Sequence, residues 1–294
     1  MQRATRVPIS GIHSPVYHVN DTSSTLDLAA ALLADTTTAT PHLTTIIADR
    51  QSAGRGRLGR TWTTPDGQAL LASTIVSLPT SFPTEMLGWL VYACALSVRD
   101  ALSPRLSPLG HTVSLKWPND VLVDGARKIC GILAQLAPAS SPFTTSAILG
   151  YGINIAQDCD HLATPQATSL YAEGDSEAGA DPTSVSHTLL AQILSGLDSR
   201  IRGLVTHGNA RDCGLADEAA NALPLLGTRI ALAKPTDPNG HPAMEGVALG
   251  LSPTGSLLVA TDDGRTHDIN AGDVLATGLP LTTVHDTKEK RANN

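Results

Sequence analysis

The run Gly54-Arg55-Gly56-Arg57-Leu58-Gly59-Arg60-Thr61-Trp62 is where the sequence concentrates chemistry. Its three arginines offer forked donors that match the oxygens of a phosphate or a carboxylate. Its three glycines permit positive φ and let the backbone approach a ligand closely. A segment of this kind can wrap an anion and order itself around it. Taken alone it is equally a flexible basic loop or an RNA-contacting arginine–glycine segment, because such runs are common low-complexity sequence. Three further blocks accompany it: Lys116-Trp117-Pro118-Asn119-Asp120, then Lys128-Ile129-Cys130-Gly131-Ile132-Leu133, then Gly150-Tyr151-Gly152-Ile153-Asn154.

These blocks need regular structure to hold them. Strands are expected over 112–116, 121–123, 128–136 and 144–155, with Asp124-Gly125 as a hairpin turn. Lys128 then sits on a strand, held more rigidly than the loop arginines. Upstream, Asp21, Thr22, Ser23, Ser24 and Thr25 offer capping side chains, and Leu26, Ala29, Ala30 and Leu33 follow on one helical face. Short β-rich runs at 43–48 and 69–77 flank the polar connection 51–67, and 85–102 reads as a largely buried helix. The stretch 157–180 reads as a surface loop, and Asp181-Pro182 as the cap and first turn of a helix running to about Gly203.

From Gly227 the texture changes to short strands at 228–233, 245–251, 256–261 and 265–269, separated by turns such as Asp262-Asp263-Gly264. That pattern suggests a small barrel. The expected organisation is an extension over 1–20, a mixed α+β domain over 21–225, a small β domain over 226–280 and a disordered tail over 281–294.

A chain of 294 residues accommodates one large and one smaller domain. The formal charge of −7 argues against non-specific nucleic-acid binding, since no overall positive field draws in phosphates. The four cysteines lack C-x-x-C spacing and read as reduced thiols. The ten histidines lack ligand spacing, so no protein-bound metal site is expected. No basic start is followed by an apolar run, and none approaches the ~18 apolar residues of a membrane helix. The expectation is a cytoplasmic protein with no membrane partner.

The four blocks, in this order and at these separations, resemble the biotin–protein ligase family, whose signature is similar to GRGRxGRxW, KWPND, KxxGIL and GxGIN. The resemblance spans roughly residues 20 to 280. It implies an α+β fold: a mixed sheet flanked by helices, similar to class II aminoacyl-tRNA synthetases, with a small C-terminal SH3-like β-barrel. It also implies an ATP-dependent ligase that makes biotinyl-5′-AMP. The biotin then passes to a lysine on the biotin carboxyl carrier protein or domain of an acyl-CoA or pyruvate carboxylase. ATP with Mg2+ is the implied cofactor. Biotin's carboxylate is a poor electrophile, and joining it to a triphosphate brings two anions together, which needs preorganised cations.

By resemblance the catalytic residues are Lys128, Arg57 and Asp120, with Lys128 bridging carboxylate and α-phosphate and Asp120 orienting or deprotonating the incoming lysine. Biotin contacts fall to Ser24, Thr25, Gln51, Gly54, Arg55, Gly56, Arg57, Lys128 and Gly131. Nucleotide contacts fall to Arg57, Arg60, Trp62, Lys116, Asn119 and Asn154. Other readings of these residues stay open: helix capping for Ser24 and Thr25, a core tryptophan for Trp62, a loop stabiliser for Asn119-Asp120, and a turn asparagine for Asn154. The family commonly reads S-T-N where this chain has Ser24-Thr25-Leu26, which puts the third contact in doubt. Cys130 stands where Ala or Gly is commoner and reads as a small buried side chain. Family members that also repress genes carry an N-terminal winged helix, for which the residues before the first helix are too few, so no DNA partner is expected. Lipoate ligase, which shares the fold but not this arginine loop, is the alternative enzyme. A non-catalytic RNA-binding protein is the alternative class.

Overall fold

The computed structural model describes residues 4–35, 37–141, 144–233 and 242–279. Its larger sheet comprises β1 (Thr5–Arg6), β2 (Val16–Thr22), β3 (Thr45–Gln51), β4 (Ala69–Pro79), β5 (Val113–Lys116), β6 (Asp120–Val123), β7 (Arg127–Ser141) and β8 (Thr144–Asn154). They lie in the order β1-β2-β3-β4-β8-β7-β6-β5. Pairing is antiparallel except between β2 and β3, which α1 (Thr25–Ala34) joins as a crossover. The mixed α+β architecture expected from the sequence is therefore present.

α1 packs Leu26, Ala29, Leu32 and Leu33 against Ile46, Ile75 and Ile148 on one face of the sheet. The opposite face is covered by α2 (Gly88–Leu106), α3 (Ser176–Ala180), α4 (Pro182–His207) and α5 (Leu215–Ala222). α4 is capped by the Asp181 side chain, which accepts from Ser184 N at 3.0 Å, and it runs one turn past Gly203 because the left-handed residue is Gly208. The β6–β7 turn places Asp124 and Gly125 at φ 50° and 68°, the paired left-handed conformation of a tight hairpin.

Several expected boundaries move. The run at 43–48 becomes a strand from Thr45 because Leu43 is left-handed, at φ 63°. It then extends through Asp49, Arg50 and Gln51 because β2 offers a parallel ladder there. β1 and β2 belong to the large sheet, so the boundary expected at residue 20 falls inside β2. The stretch 157–180 is not a surface loop: Gln157, Thr168, Ser169, Leu170, Asp175 and Ala178 are buried in it. The expected tail 281–294 lies outside the described residues.

The smaller sheet holds β9 (Arg229–Ala233), β10 (Pro242–Leu251), β11 (Leu257–Ala260), β12 (Thr266–Ile269) and β13 (Asp273–Leu279), antiparallel in the order β12-β11-β10-β9-β13. It docks on α2, where Trp89 Nε1 donates to Pro253 O at 2.8 Å and Tyr92 OH donates to Gly255 O at 3.0 Å. Gly255 is left-handed, and a Cβ there would meet both rings at 3.4 Å. A continuous apolar core joins the two sheets.

Candidate active site

A cavity of about 400 Å³ opens between the face of β4, β7 and β8, the arginine segment, the β5–β6 connection and the start of β13. One end is uncharged and polar. Gln51 Oε1 accepts from Thr25 N at 2.7 Å and from Thr25 Oγ1 at 3.1 Å, and Ser73 Oγ donates to Thr25 Oγ1 at 2.8 Å. Ser24 occupies the N-cap of α1 but its side chain caps nothing. Its hydroxyl is buried with no partner among the described residues. An unpaired buried hydroxyl costs about 1–3 kcal/mol, so this geometry favours a ligand contact over capping.

The other end is cationic. Lys128 lies on β7 as expected, with Nζ 2.7 Å from Asp120 Oδ1. The carboxylate on β6 and the ammonium on β7 face each other as an ion pair, so Asp120 holds the lysine in place. Lys116 and Asn119 line the same wall. Asn119 is a strut: its Nδ2 donates to Ile132 O at 2.7 Å, and its Oδ1 accepts from Arg57 at 3.3 Å.

The arginine segment folds as a small hairpin, with Gly56 N donating to Arg60 O and Trp62 N donating to Gly54 O. Positive φ falls on Leu58 and Gly59, not on Gly54 or Gly56. Gly54 is needed for proximity instead, since a Cβ there would sit 2.3 Å from Trp62 O. Each arginine has a protein partner. Arg55 pairs with Asp27 and Arg60 with Asp273, while Arg57 donates to Gly272 O at 3.4 Å. Burial draws the Arg57 pKa below the usual arginine value, against the opposing pull of Asp273 and Asp120.

Trp62 lies flat against the sheet. A Cβ on Gly152 would be 2.6 Å from its indole, and one on Gly131 would be 3.0 Å from it. The glycines of the last two blocks therefore make room for a ring. Its Nε1 is buried without a partner among the described residues, and Lys128 Nζ lies 5.6 Å from the ring centroid. Asn154 lines the cavity, yet its amide is occupied: Nδ2 donates to Thr168 O at 2.8 Å and Oδ1 accepts from Gln157 at 3.2 Å. Cys130 is fully buried, and desolvation raises its thiol pKa well above the ordinary value, so it behaves as an apolar side chain.

The sequence blocks omitted several contributors. Asp273 and Gly272 reach the site from the small sheet, Ala72 from β4, and Ala163, Thr164 and Ala167 from the stretch expected to be a surface loop. None belongs to a local motif that could have flagged it. Among the described residues, His111, Asp124 and Glu173 form one group with metal-ligand geometry, but Arg127 already donates to both carboxylates.

Known proteins resemble this chain over most of its length. A family profile described as the Biotin/lipoate A/B protein ligase family matches residues 20–154, and one described as the Biotin protein ligase C terminal domain matches 236–275. A biotin–[acetyl-CoA-carboxylase] ligase from Mycobacterium tuberculosis is 34% identical over 230 residues, covering 78% of this chain and 77% of that one. The chain belongs to the biotin protein ligase family. A bifunctional ligase/repressor from Bacillus subtilis is 29% identical, covering 76% of this chain and 63% of that one. Among solved structures, a biotin protein ligase from Aquifex aeolicus in complex with biotin and ATP superposes with a TM-score of 0.64. At 24% identity, over 89% of this chain and 97% of that one, that likeness bears on the fold. All four motif blocks of this chain lie inside the first family match.

Proposed function

We propose that this chain activates biotin with ATP and transfers it to a lysine on the carrier domain of an acyl-CoA or pyruvate carboxylase. One observation carries the reading. A single cavity has a buried, unpartnered Ser24 hydroxyl beside Thr25 and Gln51 at one end and Lys128, Arg57 and Lys116 at the other. A ligand with a polar ureido head and a carboxylate tail spans such a gradient.

In the first half-reaction a biotin carboxylate oxygen attacks the α-phosphorus, the bond to the β-phosphate breaks, and pyrophosphate leaves. Lys128 offsets the negative charge where the two anions meet, at a position fixed before reaction, and Arg57 grips the phosphate from the loop side. In the second, the carrier amine attacks the acyl carbon, the acyl–phosphate bond breaks, and AMP leaves. In this reading Asp120 orients the incoming amine or takes its proton. Trp62 serves the nucleotide and Arg60 its phosphate, while Asn154 braces the segment after β8. Magnesium would accompany the ATP phosphates and would supply charge neutralisation there. The cavity-lining carboxylates Asp120 and Asp273 are the hard oxygen donors that would hold it, in exchange for their ion pairs with Lys128 and Arg60.

We place the reaction in the cytoplasm. This is supported by four free thiols and, among the described residues, by no helix long and apolar enough to cross a membrane. The test is to incubate the protein with ATP, magnesium, biotin and a carboxylase carrier domain, then weigh the carrier. One biotinyl adduct that requires both small molecules is expected. No adduct, or an adduct only with lipoate, contradicts the reading.

A further inference from the structure

Lys128 sits where the sheet is locally incomplete. β7 pairs with β8 only from Cys130 onward, and its ladder with β6 is interrupted by a bulge between Val121 and Leu122. The Lys128 backbone is taken up by the segment after β8 instead. Its N–H donates to Gln166 O at 2.6 Å, and its carbonyl accepts from Thr168 N at 2.8 Å, forming a parallel bridge with Ala167. Residues 166–168 act as a short added strand under the cation.

That added strand is fastened from behind. Thr168 is buried, and its hydroxyl donates to Glu173 Oε1 at 2.5 Å. The Glu173 side chain is 6% exposed and receives a bidentate guanidinium from Arg127, Nε at 2.5 Å and Nη2 at 2.8 Å. His111 Nε2 lies 3.3 Å from the same carboxylate. Arg127 directly precedes Lys128 and also donates to Asp124 Oδ2 at 2.8 Å. The contacts close a ring from Lys128 through Thr168 and Glu173 to Arg127 and back along the chain. Thr168, Glu173 and Arg127 lie outside the cavity lining.

Ion pairs removed from water add little net stability over apolar replacements, whereas a bidentate fork fixes orientation. We propose that Glu173 is a positioning residue for Lys128 in adenylation, acting through Thr168 and the 166–168 backbone bridge. The proposal rests on the functional reading above. A shift of 1 Å at a reacting group can cost about 10²-fold in rate, so a distant fastener can govern the chemical step.

The test is biotin-dependent exchange of pyrophosphate into ATP by wild type, Glu173→Gln and Thr168→Val, with melting temperatures alongside. Both variants are expected to lose kcat by about tenfold or more, with the KM for biotin within about twofold of wild type, because the Ser24–Gln51 end is untouched. In a Lys128→Ala background, Glu173→Gln is expected to cost less than about twofold further, since it acts through the lysine already removed. A purely structural role would lower the melting temperature, leave kcat per folded molecule intact and multiply with Lys128→Ala, and that pattern overturns the proposal. Should Glu173→Gln fail to fold, the near-isosteric Thr168→Val carries the test by the same criteria. An inactive wild type overturns both this proposal and the functional reading. An active wild type with fully active variants overturns the positioning role alone.

Discussion

The cavity has two charged walls built by different means. Lys128 stands on a strand whose backbone is bonded on both sides, and its ammonium is held by Asp120. The arginine wall is a short hairpin tied by side chains. Arg60 is 64% exposed, and the Arg55–Asp27 pair is exposed on both partners. Exposed ion pairs are worth about 0–1 kcal/mol, so the loop's ties exchange easily for a phosphate. A sheet wall preorganises a charge for bond making. A loop wall can re-form around what has been made, and so can shield a reactive adenylate from water and stray amines.

Removing the fixed charge should have the largest effect. Lys128→Ala is expected to lower pyrophosphate exchange by about 10²–10³-fold. Its melting temperature should stay within a few degrees of wild type, because the side chain is 35% exposed and leaves no cavity. Near wild-type exchange by this variant would erase the distinction between the walls.

Arg57→Gly should act differently. It is expected to keep adenylate formation while weakening retention, so that biotin label reaches lysines of a bystander such as albumin faster than with wild type. The readout is label on albumin per adenylate formed. A variant that makes adenylate but labels albumin no faster contradicts a retaining loop. Smaller still are the exposed pairs: Arg55→Ala should cost no more than about 1 kcal/mol of stability in urea unfolding.

A last effect belongs to the fastener behind the sheet wall. Desolvation pushes the Glu173 carboxyl upward, but hydrogen bonds from Arg127 and Thr168 outweigh it and hold its pKa below the ordinary value. Hydrogen bonds from Thr112 and His111 depress Asp124 in the same cluster. Depressed carboxylates stabilise the fold above their unfolded pKa near about 4 and lose that contribution as pH falls through the folded value. Unfolding free energy measured from pH 7 down to pH 3 should therefore fall less steeply in Glu173→Gln than in wild type. Parallel curves would mean that the carboxylate is not coupled to the fold.

The motif-borne part of the site was legible because each block is contiguous: Arg55, Arg57 and Arg60 share one hairpin, and Lys116, Asn119 and Asp120 one turn. The meaning of Gly131 and Gly152 was not, since only the packed structure brings the Trp62 ring over both. Asp273 could not be read, because it meets Arg57 and Arg60 across some two hundred residues and through the docking of a separate sheet. β2 was missed because His18, Asn20 and Asp21 are poor strand formers. Its conformation comes from the parallel ladder with β3. The stretch 157–180 reads as loop because it is rich in Gly, Ser, Glu and Asp. Its burial follows from hydrogen bonds to Lys128, Asn154 and Arg127, which no local pattern records.

Hydrogen exchange, followed by mass spectrometry with and without biotin plus ATP, tests the two-wall account most directly. Amides of 128–133 on β7 are expected to be strongly protected in both states. Those of 54–62 are expected to exchange quickly without ligand and to gain protection with it. Equal, strong protection of 54–62 in both states would contradict the account.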